Sequence, residues 1–199
     1  MQPLLFIEFT PGPEGLAFDV FSRVHQALHL SIVEQGRVLA VDYPQARFSK
    51  PDGARLVRGG WVGERMRVFA NEETALTRFL QRSELNVLLD IEALLRSSIQ
   101  PALGLQSQTY EWKKSRTERL LNPSRQRREL ARREKFAAQG ITLNATTVKL
   151  QPSVRVELYS FSTGRAYPLY MTRTPHTCEA QLGVPNFFGL SCGDTFLPG

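Results

Sequence analysis

The sequence predicts an α+β protein in which antiparallel strands pack against amphipathic helices. Short apolar runs bounded by proline or glycine indicate the strands, and longer stretches with apolar residues at helical spacing indicate the helices. Hydrophobic residues make up 42% of the 199 residues and charged residues 22%. The chain can therefore bury a core, and most of it is not expected to be disordered.

The first part of the chain predicts a strand, a helix and a second strand. Leu4 to Phe9 is an apolar run that ends in a Pro/Gly turn, which is typical of a buried strand. From Leu16 to Val33 apolar residues recur every three or four positions, which predicts an amphipathic helix that Gly36 ends. Val38 to Tyr43 then predicts a second strand.

Three further elements complete a four-stranded pattern. Residues Arg65 to Val68 alternate in polarity and predict a half-exposed strand. Asn71 is a suitable N-cap for a helix to about Gln81, and the apolar residues from Val87 to Leu95 predict a fourth strand before Pro101. The order strand, helix, strand, strand, helix, strand is that of the ferredoxin-like split βαβ motif. We therefore expect a ferredoxin-like domain at roughly residues 1–100.

A basic segment dominates the second half of the chain. After an expected linker at residues 101–112, the segment from Lys113 to Lys135 contains ten Lys or Arg and three Glu, a net charge of +7. Because the whole chain carries +6, all other residues together sum to −1. Asn122 and Pro123 are a typical N-cap and first helical residue, and Gly140 is a typical stop, so we expect a helix between them.

The expected basic helix has two interpretations. One is a solvated helix whose charges pair with each other, and the other is a binding surface for a polyanion. At about 100° per residue, four cations share one face and repel each other unless a phosphate backbone neutralises them. This favours nucleic acid, and double-stranded RNA is a natural target because arginines can line its groove where a stem ends. The four cations are Arg125, Arg128, Arg132 and Lys135.

The end of the chain predicts a β-hairpin. From Val154 to Phe161 apolar and polar residues alternate, a turn follows at Ser162 to Gly164, and Ala166 to Met171 predicts the returning strand. Together with the basic helix, this hairpin indicates a smaller C-terminal α/β domain over residues 113–199.

Composition narrows the class of protein. The two cysteines, Cys178 and Cys192, lack the spacing of a disulfide framework and predict free thiols in a reducing compartment. No apolar run approaches the ~20 residues that a membrane helix needs, and the N-terminal run lacks the basic region of a signal peptide. We expect a cytoplasmic protein without a membrane partner.

Two positions are candidates for chemistry, each with a plain structural alternative. His25 and His29 are four residues apart on the first predicted helix. They could be metal ligands, but the Glu of a zinc-protease helix and a third ligand are missing; they could be ordinary, partly buried histidines; or His25 could act as a general base. Ser160 is a polar residue on the apolar face of its strand, which fits either strand-end fraying or a hydroxyl aimed into a site.

Four separated segments resemble the subtype I-F CRISPR repeat-processing endoribonuclease family. They are FSRVHQAL (Phe21 to Leu28), GERMRV (Gly63 to Val68), NPSRQRRELARR (Asn122 to Arg133), and the pair STG (Ser162 to Gly164) and FGLS (Phe188 to Ser191). The resemblance implies that the protein cuts precursor CRISPR RNA at the 3′ base of a repeat stem-loop, without a metal or cofactor. A ribose 2′-hydroxyl would attack the adjacent phosphate and leave a 2′,3′-cyclic phosphate. It also implies that the protein stays on its product as a subunit of the crRNA-guided surveillance complex.

The same resemblance implies roles for individual residues. His25 would be the base, and Ser160 would hold the attacking ribose. Tyr167 would stack on the last base pair of the stem, and Arg116 would read a guanine. Contacts to the substrate RNA or its phosphates are expected from Ser162, Thr163, Arg119, Arg125, Arg128, Arg132 and Arg133.

Two positions depart from the family pattern. Phe188 stands where the family has an active-site tyrosine, so the hydroxyl thought to orient His25 is missing at this position. Glu118 stands where the family has a glutamine that reads adenine, and a carboxylate instead accepts from cytosine N4 or pairs with Arg116 or Arg119. A non-catalytic subunit that binds the crRNA stem-loop therefore remains a second hypothesis, and a DNA-binding accessory protein a third.

Overall fold

The computed structural model describes residues 4–13, 15–49, 60–103, 105, 108–115, 123–141, 152–160 and 163–198. Within these ranges the chain forms four helices and two antiparallel sheets, so the predicted mixture of helices and strands is confirmed. In chain order the elements are β1 (Leu5–Pro11), α1 (Ala17–Gln35), β2 (Ala40–Asp42), β3 (Met66–Ala70), α2 (Glu73–Leu80), α3 (Ser83–Asp90), β4 (Leu94–Arg96), β5 (Gln100–Pro101), β6 (Thr109–Lys114), α4 (Pro123–Ala137), β7 (Val154–Ser160), β8 (Arg165–His176) and β9 (Leu197–Pro198).

The first sheet has the strand order β2-β3-β1-β4, and β5 also pairs with β1. Every pairing is antiparallel, with Val68 of β3 opposite Ile7 on one side and Val41 on the other. Each helical connection therefore joins two strands that are separated by one other strand. The apolar side of α1 packs on this sheet and buries side chains such as Phe21 and Leu28, each of which contributes about 1.5–3 kcal/mol through burial.

The fourth strand lies before Pro101, as predicted, but the apolar run that predicted it begins in a helix. Residues Ser83–Asp90 form helix α3, and the strand is the shorter Leu94–Arg96. Leu85 and Leu88 are buried while Val87 is exposed, which is the three-residue spacing of a helix face. Because the apolar run is short, it fits the period of a helix as well as that of a strand, and packing against α1 favours the helix.

Strand β3 is buried along its whole length, although its sequence predicted a half-exposed strand. The second face of the sheet is covered by a small cluster that includes Phe6, Phe69 and Leu197 of the distant strand β9. Arg67 is therefore only 8% exposed, and its Nε donates to Glu8 at 2.9 Å. The polar residue is accommodated through an ion pair, which is what burial of a charge requires.

The second sheet has the strand order β7-β8-β6-β9 and shares one hydrophobic core with the first. Its edge strand β7 lies along α1. Ser22 Oγ accepts from the backbone N–H of Glu157 at 3.0 Å, and Gln26 Oε1 accepts from that of Tyr159 at 2.8 Å. These side chains accept hydrogen bonds from backbone N–H groups of the edge strand that could otherwise pair with another strand. Strand β6 begins at Thr109, inside the segment that was expected to be a linker.

Helix α4 spans 15 residues within the predicted basic helix. It ends before Gly140, whose φ of +73° matches the predicted stop. Leu130 is 58% exposed, and Arg132 lies over the Phe136 ring at 5.7 Å. Among the side chains that the structure describes on this helix, none is buried.

Candidate active site

The FGLS segment, residues 188–191, is held against α1 and both sheets. Gly189 adopts a φ of +71°, and a Cβ there would lie 3.0 Å from Leu28 Cδ2, so glycine suits both the backbone and the space. Its carbonyl accepts from the N–H of Val41 at 3.0 Å. Ser191 donates from Oγ to Glu111 at 3.0 Å and from its backbone N–H to the Trp112 carbonyl at 2.7 Å. The preceding carbonyls of Phe187 and Phe188 are thereby fixed in front of α1.

The imidazole of His25 is fully buried and uses both ring nitrogens. Nε2 lies 3.0 Å from the Phe188 carbonyl, which can only accept, so Nε2 carries the proton. Nδ1 therefore accepts from the Tyr43 hydroxyl, whose oxygen lies 2.7 Å away. Burial lowers the pKa of His25 from 6.5 to about 4, because the charged form loses its hydration.

Tyr43 is the site residue that the sequence reasoning missed. It supplies a hydroxyl to His25, whereas the neighbouring Phe188 carries none. In the sequence Tyr43 looked like the last apolar residue of a strand. A buried Tyr needs a partner for its hydroxyl, and that requirement was the one available signal.

His29 lies one helical turn further along α1 and is partly exposed. Its Nδ1 is 2.6 Å from the Phe187 carbonyl, so Nδ1 donates. The ring stacks on Phe188, with centroids 5.1 Å apart and planes at 18°. Lys114 Nζ lies 4.9 Å from the centroid of the same Phe188 ring. An imidazole and an ammonium group therefore flank one aromatic side chain.

Ser160 is the last residue of β7 and pairs with Arg165 across the β7–β8 hairpin. Gly164, with a φ of +63°, donates to the Ser160 carbonyl at 2.8 Å and closes the turn. Ser160 is partly exposed and follows Tyr159, whose N–H binds Gln26 next to His25. The end of strand β7 is therefore joined to α1 at Gln26, the residue that follows His25. Thr163 is exposed at the hairpin tip.

The candidate RNA-contacting residues fall into described and undescribed groups. Tyr167 lies opposite Leu158 in the hairpin and is partly buried. Arg125, Arg128, Arg132 and Arg133 all lie on α4; Arg128 and Arg132 are exposed, and Arg133 is partly exposed. Arg116, Glu118, Arg119 and Ser162 lie outside the described residues.

Residues 5–198 match the profile of the family described as CRISPR-associated protein (Cas_Csy4). The chain belongs to this family. The family comprises CRISPR RNA-processing endoribonucleases, so its members bind the CRISPR repeat and process its precursor. No curated protein sequence matches the chain.

In this CRISPR-associated protein a second buried group, Asp42, lies directly before Tyr43. Its Oδ1 accepts from Trp112 Nε1 at 2.7 Å and lies 3.9 Å from Arg173. Burial raises the pKa of Asp42 from 3.8 to about 6, and the bond from Trp112 and the charge of Arg173 offset only part of that rise. Trp112 and Arg173 lie on the second sheet. Asp42, which precedes the His25 partner Tyr43, therefore connects the two sheets beside His25.

Within the described ranges, no group of three or more His, Cys, Asp or Glu is arranged to hold a metal ion. Cys178 and Cys192 are exposed free thiols, as predicted. None of the helices in the described part is long and apolar enough to cross a membrane.

Proposed function

We propose that the protein is a metal-independent endoribonuclease that binds the CRISPR repeat stem-loop and cuts precursor crRNA at its 3′ base. It then stays bound as a subunit of a crRNA-guided surveillance complex in the cytoplasm. The observation that carries the proposal is the convergence of the Phe188 segment, at His25, and strand β7, at the neighbouring Gln26, on helix α1. This convergence brings together residues that are 133 or more positions apart in the sequence.

The proposed chemistry uses the RNA itself as the nucleophile. The 2′-oxygen bonds to the adjacent phosphorus, the bond from phosphorus to the 5′-oxygen breaks, and a 2′,3′-cyclic phosphate and a 5′-hydroxyl result. This reaction needs an in-line geometry, a proton acceptor and positive charge near the phosphorane. In the proposal Ser160 holds the ribose, and His25 is the base that accepts the 2′-hydroxyl proton.

The proposed RNA interface extends from the hairpin tip to α4. The arginines of α4 neutralise phosphates of the stem, and their exposure on a helix without a buried side chain among those described supports this role. Tyr167 stacks on the closing base pair, and Ser162 and Thr163 contact the RNA near the scissile phosphate. Arg116, Glu118 and Arg119 read or position the stem, with Glu118 changing the preferred base pair.

The proposed architecture is a ferredoxin-like domain at about residues 1–100 and an RNA-binding domain at 113–199. The strand order β2-β3-β1-β4 with helices between β1 and β2 and between β3 and β4 supports the first assignment. Contacts of α1 with β7 join the two parts, so the reaction centre forms at their junction.

A cleavage assay in EDTA tests the function directly. Purified protein is incubated with a 5′-labelled repeat RNA, and the product is expected to carry a 2′,3′-cyclic phosphate. A product that forms only after Mg²⁺ is added would contradict the metal-independent mechanism. A duplex of the same sequence in DNA serves as the matched control and is expected to remain intact and to compete poorly for binding.

Substitution of His25 tests the assignment of the reaction centre. His25→Ala is expected to stop cleavage, because the Phe188 carbonyl and the Tyr43 hydroxyl both lose their partner. Stem-loop binding is expected to stay close to wild type, since the arginines lie on another helix. Comparable cleavage by this variant would remove His25 from the mechanism.

A second function is favoured by one observation. His25 is fully buried with both ring nitrogens engaged, and Phe188 lacks the family's hydroxyl, which fits a subunit that binds the stem-loop without cutting it. Tight binding of the repeat hairpin with no cleavage over many hours, in EDTA or Mg²⁺, would establish that function instead.

A further inference from the structure

A cleft of about 330 Å³ lies between α1, α3 and β7. Helix α1 contributes Arg23 and Gln26 to its walls, α3 contributes Val87, and β7 contributes Tyr159. Its volume is at the small end of the range for ligand sites, and its walls are mostly apolar, as such sites usually are. None of these four residues has a part in the reaction proposed above.

The cleft begins beside the proposed reaction centre. Gln26 directly follows His25, and Tyr159 directly precedes Ser160, so each lies one Cα–Cα step of about 3.8 Å from a residue of that centre. The Gln26 side chain and the Tyr159 backbone are joined by a hydrogen bond of 2.8 Å. The Tyr159 hydroxyl lies 3.6 Å from the position that a Cβ would take on Gly164, so the Tyr159 ring extends towards the hairpin turn. The cleft therefore opens where β7 ends.

The walls of the cleft suit an unpaired nucleobase. The side chains of Val87 and Tyr159 are large and apolar, yet these residues are 56% and 46% exposed. An aromatic ring of this kind is a stacking surface for any base, and unpaired bases are the parts of RNA that proteins reach most easily. Because Gln26 Oε1 accepts from a backbone N–H, its Nε2 is left to donate elsewhere, and within the described residues it has no acceptor. The carbonyl and ring nitrogen atoms of a base can supply one.

The charges at the rim of the cleft suit a phosphate group. The two carboxylates that line it have cationic partners, since Glu84 pairs with Arg82 at 3.1 Å and Glu157 pairs with Arg155. Arg23 is exposed and makes no ion pair among the residues that the structure describes. The charge that remains available is therefore a guanidinium group, which binds phosphate through two parallel hydrogen bonds.

We propose that this cleft binds the unpaired nucleotide that follows the scissile phosphate, with its base against Tyr159 and Val87 and a phosphate at Arg23. This inference rests on the proposed ribonuclease function, which places the cut at the 3′ base of the stem and so requires the RNA to continue past the hairpin tip. Successive side chains of a strand point to opposite faces, so RNA that passes round the end of β7 meets Ser160 and then the cleft. Holding this nucleotide keeps the leaving 5′-oxygen in line with the attacking 2′-oxygen.

Binding of an uncleavable RNA tests the cleft apart from the chemistry. The probe is the repeat hairpin with one 2′-deoxy nucleotide before the scissile phosphate and one unpaired nucleotide after it, and the comparison RNA carries an abasic residue at that last position. In EDTA the full-length protein is expected to bind the first RNA about tenfold more tightly, since the base is stacked in the cleft. An abasic residue on the 5′ side of the stem is expected to change the affinity by less than about twofold.

Two matched substitutions on α3 locate the effect. Val87→Glu places a carboxylate in the cleft and should reduce the tenfold preference to less than about twofold. Ile91→Glu is the control, because Ile91 lies four residues later, is 58% exposed and does not line the cleft, and it should keep the full preference. A photoreactive 4-thiouridine as the unpaired 3′ nucleotide should cross-link to peptides that contain Tyr159 or Val87. Circular dichroism identifies a variant that fails to fold, and the cross-link to the wild type then decides.

The outcomes separate this inference from the function on which it rests. Cleavage of the all-ribonucleotide repeat in EDTA, together with equal affinities for the base-containing and abasic RNAs, overturns the cleft alone. A preference that survives in Val87→Glu, or a cross-link confined to α4 or Tyr167, also overturns it. A preference that appears only for the nucleotide on the 5′ side of the stem overturns the assignment to the leaving strand. A tenfold preference without any cleavage overturns the ribonuclease function and leaves the cleft as a recognition site for the 3′ strand.

Discussion

The two longest helices in the described part of the chain, α1 and α4, differ in how many of their side chains are buried. Helix α1 has 19 residues and buries nine of them, including His25, against two sheets. Helix α4 has 15 residues and, among its described side chains, buries none. An amphipathic helix gains its stability from packing, whereas a helix that is polar all round needs other partners.

Under the proposed function, this difference separates catalysis from binding in physical terms. Atoms that must be aligned within a fraction of an ångström lie on the packed helix, where neighbours restrict each side chain. Charges that must meet a phosphate backbone lie on the exposed helix, where reach and electrostatics matter more than alignment. Changes on α1 should therefore alter the cleavage rate or the stability, and changes on α4 should alter the affinity and its salt dependence.

The strongest way to sharpen the comparison is to change the substrate instead of the protein. A single 2′-deoxy substitution on the nucleotide before the scissile phosphate is expected to abolish cleavage, because it removes the nucleophile. Binding is expected to be unchanged, since the arginines of α4 meet phosphates. The measurements are single-turnover cleavage and filter binding, with a 2′-deoxy substitution two nucleotides upstream as the control. Normal cleavage of the first substrate would refute the mechanism.

The second prediction concerns the buried groups beneath α1 and their pH dependence. Burial raises the pKa of Asp42 to about 6, so the folded state holds a proton that the unfolded state releases near 3.8. The contribution of Asp42 to the free energy of unfolding therefore falls by about 3 kcal/mol as the pH rises from about 4 to 6. Burial lowers the pKa of His25 to about 4, so the contribution of His25 to the free energy of unfolding rises by about 3 kcal/mol as the pH rises from about 4 to 6.5. The two contributions nearly cancel in the wild type.

Substitutions expose each contribution in urea titrations between pH 4 and 6.5. In Asp42→Asn the free energy of unfolding should rise with pH more steeply than in the wild type, and in His25→Asn it should fall relative to the wild type. Titrating groups elsewhere are common to all three proteins, so the comparison isolates these two. Parallel pH profiles for the two variants would show that neither group is held as the structure indicates.

The third prediction applies to α4. Arg128→Ala combined with Arg132→Ala is expected to weaken stem-loop binding by about tenfold at physiological salt and to reduce the slope of log affinity against log salt by about two. Cleavage of RNA that is already bound should be unchanged at saturating protein. Arg96→Ala removes the same charge from an exposed position on β4 and should change neither quantity. A lower cleavage rate at saturation would instead couple α4 to the chemistry.

The smallest expected effect comes from the Tyr43 hydroxyl. Tyr43→Phe leaves Nδ1 of the buried His25 without a donor, which costs about 1–3 kcal/mol of unfolding free energy. Cleavage should slow only a few-fold, because Phe188 and its carbonyl remain in place. Tyr110→Phe, which loses a bond to the exposed Gln108, is the control for a tyrosine hydroxyl outside this network. Equal stability of the two variants would mean that Tyr43 does not hold His25.

Local pattern was sufficient for much of the fold. The helical spacing from Leu16 to Val33, the glycine stop at Gly140 and the alternation through Ser160 each correspond to an element in the structure. Local pattern failed at α3, because a short apolar run fits the period of a helix and that of a strand. It also failed at β3, because residues that cover a sheet face can come from the other end of the chain. Family motifs added the candidate residues, and α1, the hairpin and the FGLS segment carry them.

Residue types and their order along the chain were sufficient to predict the basic helix and the helix that carries His25 and His29. Three features of the site depend on contacts between residues 18 to 163 positions apart. They are the tautomer and burial of His25, the donor role of Tyr43, and the bond from His29 to the Phe187 carbonyl. Periodicity carries no information about such contacts, because it describes which side of an element faces the core and not which atom of another element meets it there.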